Sequence, residues 1–264
     1  MVPVALTIAG SDPSGGAGIQ ADLKTFHQFG VYGEAAITLA TVQNTVRVHR
    51  VECLDAGLVR EQIEAVFDDI PPAAVKTGAL GNQANVEAVA HAARGWTCPL
   101  VVDPVMISKH GAWLLPPDAA RTLRDLLLPL AALVTPNLEE ARALAGIEVD
   151  GIDSMEEAAR RIAGMGARAV LIKGGHLEGD AADLLFAGGD CYRFASPRIR
   201  TPHTHGTGCT YSAAITALLA RGVPMVRAVG RAKAFIDDAI RTNPGLGHGC
   251  GPVNHHALAG LGNA

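Results

Sequence analysis

An open, mostly parallel α/β sheet, covered by helices on both faces and carrying a short antiparallel hairpin, is the fold this sequence predicts. Three observations carry it. Short β-branched and aliphatic runs alternate with longer helical patterns along the chain. The runs are apolar at successive positions, as in strands buried on both faces by crossover helices. Polar or glycine-rich residues follow run after run, on the rim where an open parallel sheet binds its ligands.

In chain order, the run Val4–Ile8 predicts a first strand, and the pattern Ile19–Phe29 a helix. Ala36–Ala40 is the second strand, followed by a helix over Leu58–Asp68. The short runs Ala74–Lys76 and Leu100–Asp103 flank a helix at Asn82–Ala93. Pro117–Leu127 is helical, Leu133–Thr135 a strand, and Leu138–Ala145 and Met155–Gly164 are helices before the strand Ala169–Lys173. Over Asp183–Arg200 the pattern shifts to two short strands around Gly188-Gly189-Asp190, which predicts the hairpin. Long helices over Thr207–Arg221 and Val226–Thr242 complete the series. With no low-complexity linker and no internal repeat, residues 1–264 are expected to form a single domain.

Composition narrows the function. Hydrophobic residues make up 48% of the 264, ample for a core, and aromatics only 4%. The longest apolar stretch, Leu126–Val134, is short and broken by Pro129, so no membrane span is expected. Met1-Val2-Pro3-Val4 runs into strand-like sequence without a basic leader, which predicts a cytoplasmic chain. A net charge of −4 and the lack of a basic, aromatic-studded stripe argue against nucleic acid. The five cysteines are scattered, with no CxxC pair, so neither a disulfide framework nor a zinc site is expected. Cys53, Cys98 and Cys191 read as buried, inert thiols. The ten histidines show no ligand spacing, and His203, His205, His255 and His256 read as loop or terminal residues.

The most informative segment is Thr204-His205-Gly206-Thr207-Gly208-Cys209-Thr210, which runs into a small, apolar helix. Its glycines leave backbone N–H groups unpaired at a helix start, a seat for a phosphate-sized anion. Cys209 lies in that seat, where the same field is expected to favour thiolate. An anion seat and a base at one spot imply phosphoryl transfer.

Other rim residues each admit two readings. The segment Gly10–Gly18 fits neither a Walker A loop nor a dinucleotide turn, and is a tight turn or a ligand loop. Asp22 and Gln20 fall in the first turn of the next helix, where acids compensate the dipole or serve a site. Asn137 and Glu140 share one side of a helix start, as an ordinary acidic turn or as holders of a magnesium-bound water. Asp103, before Pro104, either caps a neighbour or helps hold a cation. Lys173, before two glycines, reaches for phosphate or snorkels to solvent.

Taken together and in order, these pieces resemble the hydroxymethylpyrimidine/phosphomethylpyrimidine kinases of thiamine biosynthesis, in the ribokinase-like superfamily. The likeness runs from Ala5 to about His255. It rests on Ala9–Phe26, Val101-Val102-Asp103-Pro104-Val105-Met106, Thr135-Pro136-Asn137-Leu138-Glu139-Glu140, His205–Thr210 and Gly249–His255. The resemblance implies a ribokinase-like kinase domain, working on ATP and Mg2+ as a homodimer. Gly10, Asp22 and Gln43 would line the pyrimidine pocket, and a carboxamide suits an aminopyrimidine edge. Asp103, Asn137 and Glu140 would manage magnesium, mostly through water, with Asn137 also near the nucleotide. Lys173 would lie by the transferred phosphate and Lys233 by the nucleotide. Gly206, Thr207 and Gly208 would form the anion hole, and Cys209 would stand at the catalytic base position. Where the family often has methionine this chain has Ala79, which loosens packing against the ring.

The implied reaction is phosphorylation of the hydroxymethylpyrimidine to its monophosphate, then of the monophosphate to the diphosphate. A pyridoxal kinase with the same phosphate machinery is the nearest alternative. A pyrimidine-binding sensor without catalysis is a second, against which the set Asp103, Asn137, Glu140 and Cys209 argues. The loops after Met106 and around His176–Ala182 are expected to close over substrate.

Overall fold

The protein is described here from a computed structural model covering residues 2–108, 111–175 and 180–258. Strand β1 spans Val4–Ser11, β2 Tyr32–Gln43 and β3 Val48–Cys53. Strands β4 (Ala74–Thr77), β5 (Leu100–Val102), β6 (Leu133–Val134) and β7 (Ala169–Ile172) are short and fully buried. β8 (Ala181–Ala187) and β9 (Asp190–Ser196) follow. Among the described residues these nine form one sheet in the order β3-β2-β1-β4-β5-β6-β7-β8-β9. Pairing is parallel from β2 through β7 and antiparallel at both ends.

The pleat sends alternate side chains to opposite faces, and each face has its own core. Leu6, Ile8, Val102, Val170 and Ile172 face one layer, while Ala5, Val101 and Leu171 face the other. Helices α2 (Ala56–Asp69), α3 (Gln83–Ala93), α4 (Pro117–Thr122), α5 (Leu138–Ala145) and α6 (Ile152–Gly164) supply the first layer. The second is built by α1 (Gly18–Gln28), α7 (Thr207–Ala220) and α8 (Met225–Arg241), where Phe29 meets Phe235 edge to face. No helix of the described residues is long and apolar enough to cross a membrane.

The expected elements form, with three differences. The hairpin turns on Gly188 and Gly189, both with positive φ (64° and 93°), so that Ala187 pairs with Asp190 in the tight turn favoured by strand twist. Its strands begin and end earlier than the expected window. The helix expected to run to Leu127 instead widens after Thr122: Leu123–Leu127 is a π-helical turn and Leu128–Leu130 a 3₁₀ turn. Pro129 cannot donate to an α-helical ladder, and the wider turn buries Leu123, Leu127 and Leu128 together. Strand β3 is absent from the expectations because His49, Arg50 and Glu52 break any apolar pattern on this edge. On the same edge Cys53 is exposed rather than buried, and elsewhere Cys98, before β5, and Cys191, on the opposite edge strand β9, are half-buried.

Candidate active site

The carboxyl ends of β1, β2, β4, β5, β6 and β7 open into one cleft of about 1030 Å³. Of the residues expected at a site, Gly10, Gln43, Asp103, Asn137, Glu140, Lys173, Gly206, Thr207, Gly208, Cys209 and Lys233 all line it. Asp22 does not.

The anion seat forms at the start of α7. Gly206 caps the helix at φ 76°, and a Cβ there would sit 1.7 Å from the Gly16 carbonyl oxygen. Only glycine permits both the left-handed backbone and this approach. Thr207 Oγ1 donates to the Thr204 carbonyl at 2.8 Å, and the amides of Gly208 and Cys209 find no backbone acceptor among the described residues. These amides meet the positive end of the helix dipole, which suits an anion. Gly206→Ala is therefore expected to displace the whole turn. Turnover should fall by about 10²-fold, as loss of an oxyanion-type donor does; near-normal turnover in a steady-state assay would show that the turn has room to spare.

Across the seat lies a buried charge cluster. Asp103 Oδ1 accepts from Lys173 Nζ at 2.9 Å and from Thr135 Oγ1 at 3.1 Å, and Oδ2 accepts from Ser212 Oγ at 3.1 Å. Burial alone would raise the Asp103 carboxyl, but the Lys173 and Lys76 ammonium groups and these hydrogen bonds hold it below the usual range. Lys173 Nζ comes within 3.3 Å of the point where a Gly208 side chain would start, so the cation faces the anion seat directly.

Asn137 and Glu140 satisfy the bland reading and leave the other open. Asn137 Oδ1 accepts from the Glu140 amide at 2.9 Å, and Glu140 Oε2 from the Asn137 amide at 2.8 Å, a complete capping box. Glu140 is nonetheless buried, and burial together with the Asp103 charge pushes its carboxyl up to about 7 despite Lys173. A hard divalent cation nearby would relieve that excess of negative potential, and every donor here is an oxygen. No three His, Cys, Asp or Glu side chains of the described residues converge to hold an ion directly. The residues fit magnesium bridged by water.

Two expectations need correction. Asp22 lies beneath the cleft, fully buried, where its Oδ2 accepts from Lys76 Nζ at 2.9 Å and from Thr7 Oγ1 at 2.7 Å. Thr7 and Lys76 are register partners on β1 and β4, so α1 lays its carboxylate across both strands. It is Lys76, not Asp22, that reaches the cleft floor. Second, the resting Cys209 is no thiolate. Burial pushes its thiol up to about 11, and Asp22 and Asp103 add to that, against the pull of Lys76 and a hydrogen bond from Gly18. The helix start is outweighed by desolvation.

Lys233 lines the far side of the cleft, paired with Asp183 and Asp237, both at 3.3 Å. Of the loops expected to close, residues 109–110 and 176–179 lie outside the described residues. Ile107 and Trp113 bridge across the first of them at the cleft mouth.

A family model described as phosphomethylpyrimidine kinase matches residues 12–254. The chain belongs to that family. It is 49% identical over 252 residues to the thiamine biosynthesis bifunctional protein ThiED of Geobacter sulfurreducens, covering 95% of this chain and 51% of that longer protein. The chain thus spans about half the length of that relative. It is 46% identical over 257 residues to the hydroxymethylpyrimidine/phosphomethylpyrimidine kinase of Bacillus subtilis, covering 96% of this chain and 95% of the other. The solved pyridoxal kinase of Staphylococcus aureus in complex with AMP-PCP and pyridoxal superposes with a TM-score of 0.91 at 36% identity, over 99% of this chain and 96% of the other. The fold is accordingly that of the ribokinase-like kinases.

In this member of the phosphomethylpyrimidine kinase family, several site residues carry little mark in the sequence. His205 reads as a loop histidine, yet it is buried, and its Nε2 lies 2.7 Å from Asp12 Oδ2. Its backbone bridges to Pro252, with the His205 amide donating to Gly251 at 3.0 Å and the Val253 amide to His205 at 3.3 Å. His255 is also buried and meets Thr210 Oγ1 at 3.1 Å. A lysine in the middle of an all-buried strand, as Lys76 is in β4, was the available signal for a buried partner.

Proposed function

We propose that the protein transfers phosphate from ATP to 4-amino-5-hydroxymethyl-2-methylpyrimidine, and then to the resulting monophosphate, for thiamine biosynthesis. The observation that carries this reading is the anion seat Gly206–Cys209, set between the Asp103–Lys173 cluster and the Gly10–Gln43 side of the same cleft. The names of the relatives support the substrate class, and the AMP-PCP complex of the Staphylococcus aureus pyridoxal kinase supports an adenine nucleotide as donor.

In this reading the loose transition state needs positioning and charge more than covalent chemistry. The free amides of the seat and Lys173 take the charge developing on the transferred group. Gln43 offers a donor and an acceptor to the aminopyrimidine edge, and Gly10 lines the same side of the cleft, its bare Cα leaving room for the Leu39 side chain. Lys233 sits at the nucleotide end. Cys209, in its thiolate form, takes the proton of the hydroxymethyl oxygen and becomes the thiol. Magnesium held through water by Asp103, Asn137 and Glu140 would neutralise nucleotide phosphate charge. The reading extends to a single kinase domain over residues 1–264, cytoplasmic and homodimeric, acting on small molecules.

Glu140→Gln tests the metal assignment. It keeps the capping acceptor but removes the charge, so the magnesium concentration for half-maximal rate should rise several-fold, with pyrimidine affinity unchanged. An unaltered magnesium titration would take Glu140 out of that role.

The fold similarity to pyridoxal kinases and the small Ala79 on the cleft wall favour pyridoxal as a second acceptor. The deciding assay offers ATP and magnesium with hydroxymethylpyrimidine, its monophosphate or pyridoxal. Turnover of both pyrimidines with pyridoxal slow supports the proposal. Preference for pyridoxal replaces it, and binding without ATP consumption would make the protein a sensor.

A further inference from the structure

The glycine-rich loop after β1 and the turn before α7 come from opposite ends of the sequence, yet they touch at backbone distance. One buried pair joins them. His205 is 5% exposed and Asp12 2%. Asp12 is the hub of its own loop: Oδ1 accepts from the Ser14 amide at 2.8 Å, and Oδ2 from Ser14 Oγ and the Ala17 amide, both at 2.9 Å. Its amide donates to Gln20 Oε1 at 2.9 Å. The remaining partner of Oδ2 is His205 Nε2 at 2.7 Å. An ionised carboxylate can only accept, so Nε2 carries the hydrogen. Burial works against that ionisation, but the hydrogen bonds from His205 and Ser14 hold the Asp12 carboxyl well below its ordinary value.

The next residue after His205 is Gly206, the cap of the anion seat. A chain of contacts therefore runs from the Gly10–Gly18 loop, on the acceptor side, through Asp12 and His205 to the amides that face the transferred group. We propose that Asp12 and His205 are positioning residues that hold the anion seat in register with the acceptor loop Gly10–Gly18. Neither needs to touch the reacting atoms. Their work is to fix the distance between two loops that no strand connects.

The assignment deepens the kinase reading and rests on it, so its test includes a readout that needs no turnover. His205→Leu removes the donor, whereas His205→Gln keeps an N–H at nearly the same reach. His205→Leu is expected to lower kcat about 10²-fold, the effect of an ångström-scale misplacement, while KM for ATP stays within about twofold. Amide hydrogen exchange across residues 203–211 should speed up in the folded His205→Leu protein. His205→Gln should recover most of both. Wild-type exchange in His205→Leu overturns the proposal whatever the activity. So does equal damage in the Leu and Gln variants, which would make the ring's bulk rather than its hydrogen bond responsible. Failure of the wild type to consume ATP in the acceptor assay would instead remove the kinase reading, with the exchange comparison still deciding whether the pair holds the turn.

Discussion

Cys209→Ala is expected to slow phosphorylation of the hydroxymethyl group by about 10²–10⁴-fold, the range of general-base assistance, and to slow the second transfer far less. Only the first nucleophile is a neutral alcohol that must lose a proton. The second is a phosphate oxygen, ionised above its second pKa of about 6. The raised thiol adds a dependence on pH. With a pKa of about 11, only about one molecule in 10⁴ carries the thiolate at pH 7. Because the base is the deprotonated form, its population grows tenfold for each pH unit below that value. The first-transfer rate should climb with pH through the neutral range, while the second should be nearly flat above pH 7. Single-turnover rates for the two acceptors between pH 6 and 9 check both statements. Equal losses in the alanine variant would leave Cys209 a packing role only.

The second large effect is on stability. Lys76→Met strips the charged partner from Asp22 and leaves only Thr7 on Oδ2, while the other oxygen, Oδ1, is buried without a hydrogen bond. Breaking a buried pair in this way costs about 3–5 kcal/mol, and at about 2–4 °C per kcal/mol the melting temperature should drop by roughly ten degrees. The double variant Asp22→Asn/Lys76→Met removes the stranded charge and should recover much of the loss, as coupled neighbours do. Burial already raises the Asp22 carboxyl, and loss of Lys76 raises it further. A folded pKa above the unfolded one stabilises at acid pH and loses that contribution as pH rises through the folded value. The single variant should therefore lie closest to wild type in acid and diverge towards neutrality. Denaturant melts at pH 5 and pH 8 would reveal it. A single variant within about 1 kcal/mol of wild type at both would mean that water reaches Asp22.

Much of the fold is legible because buried parallel strands write continuous apolar runs. Leu100–Val102 and Ala169–Ile172 are found from sequence to within a residue. β3 is not, since its stability comes from pairing with β2 while His49, Arg50 and Glu52, all exposed, interrupt its apolar residues. At the site, the sequence places Gly206–Cys209, Asp103 and Lys173 in the cleft because a glycine turn before a helix and polar residues closing buried strands fall on the sheet's ligand edge. Lys76, Asp12 and His205 are not, because each takes its meaning from a partner far along the chain. The sign of the Cys209 shift escapes for the same reason: helix position is local, whereas the burial that raises the thiol, and the carboxylates of Asp22 and Asp103 that add to it, arrive through the fold. Asp22 shows the limit of carrying a role over by motif, since its position in the motif is kept while its side chain is spent on Lys76.

The bridge between His205 and Pro252 bears on the order in which the protein can assemble. Among the described residues the last strand of the sheet ends at Ser196, so the hydrogen-bonded sheet is complete in chain order before residues 250–253. The Gly206–Cys209 turn is not, because Gly251 and Val253 hold the His205 backbone, and the Cys250 amide ties the same segment to Thr45 at 2.8 Å beside β2. In chain order the sheet framework is therefore complete well before the segment that fixes the Gly206–Cys209 turn, and that turn takes its shape only once residues 250–253 are present.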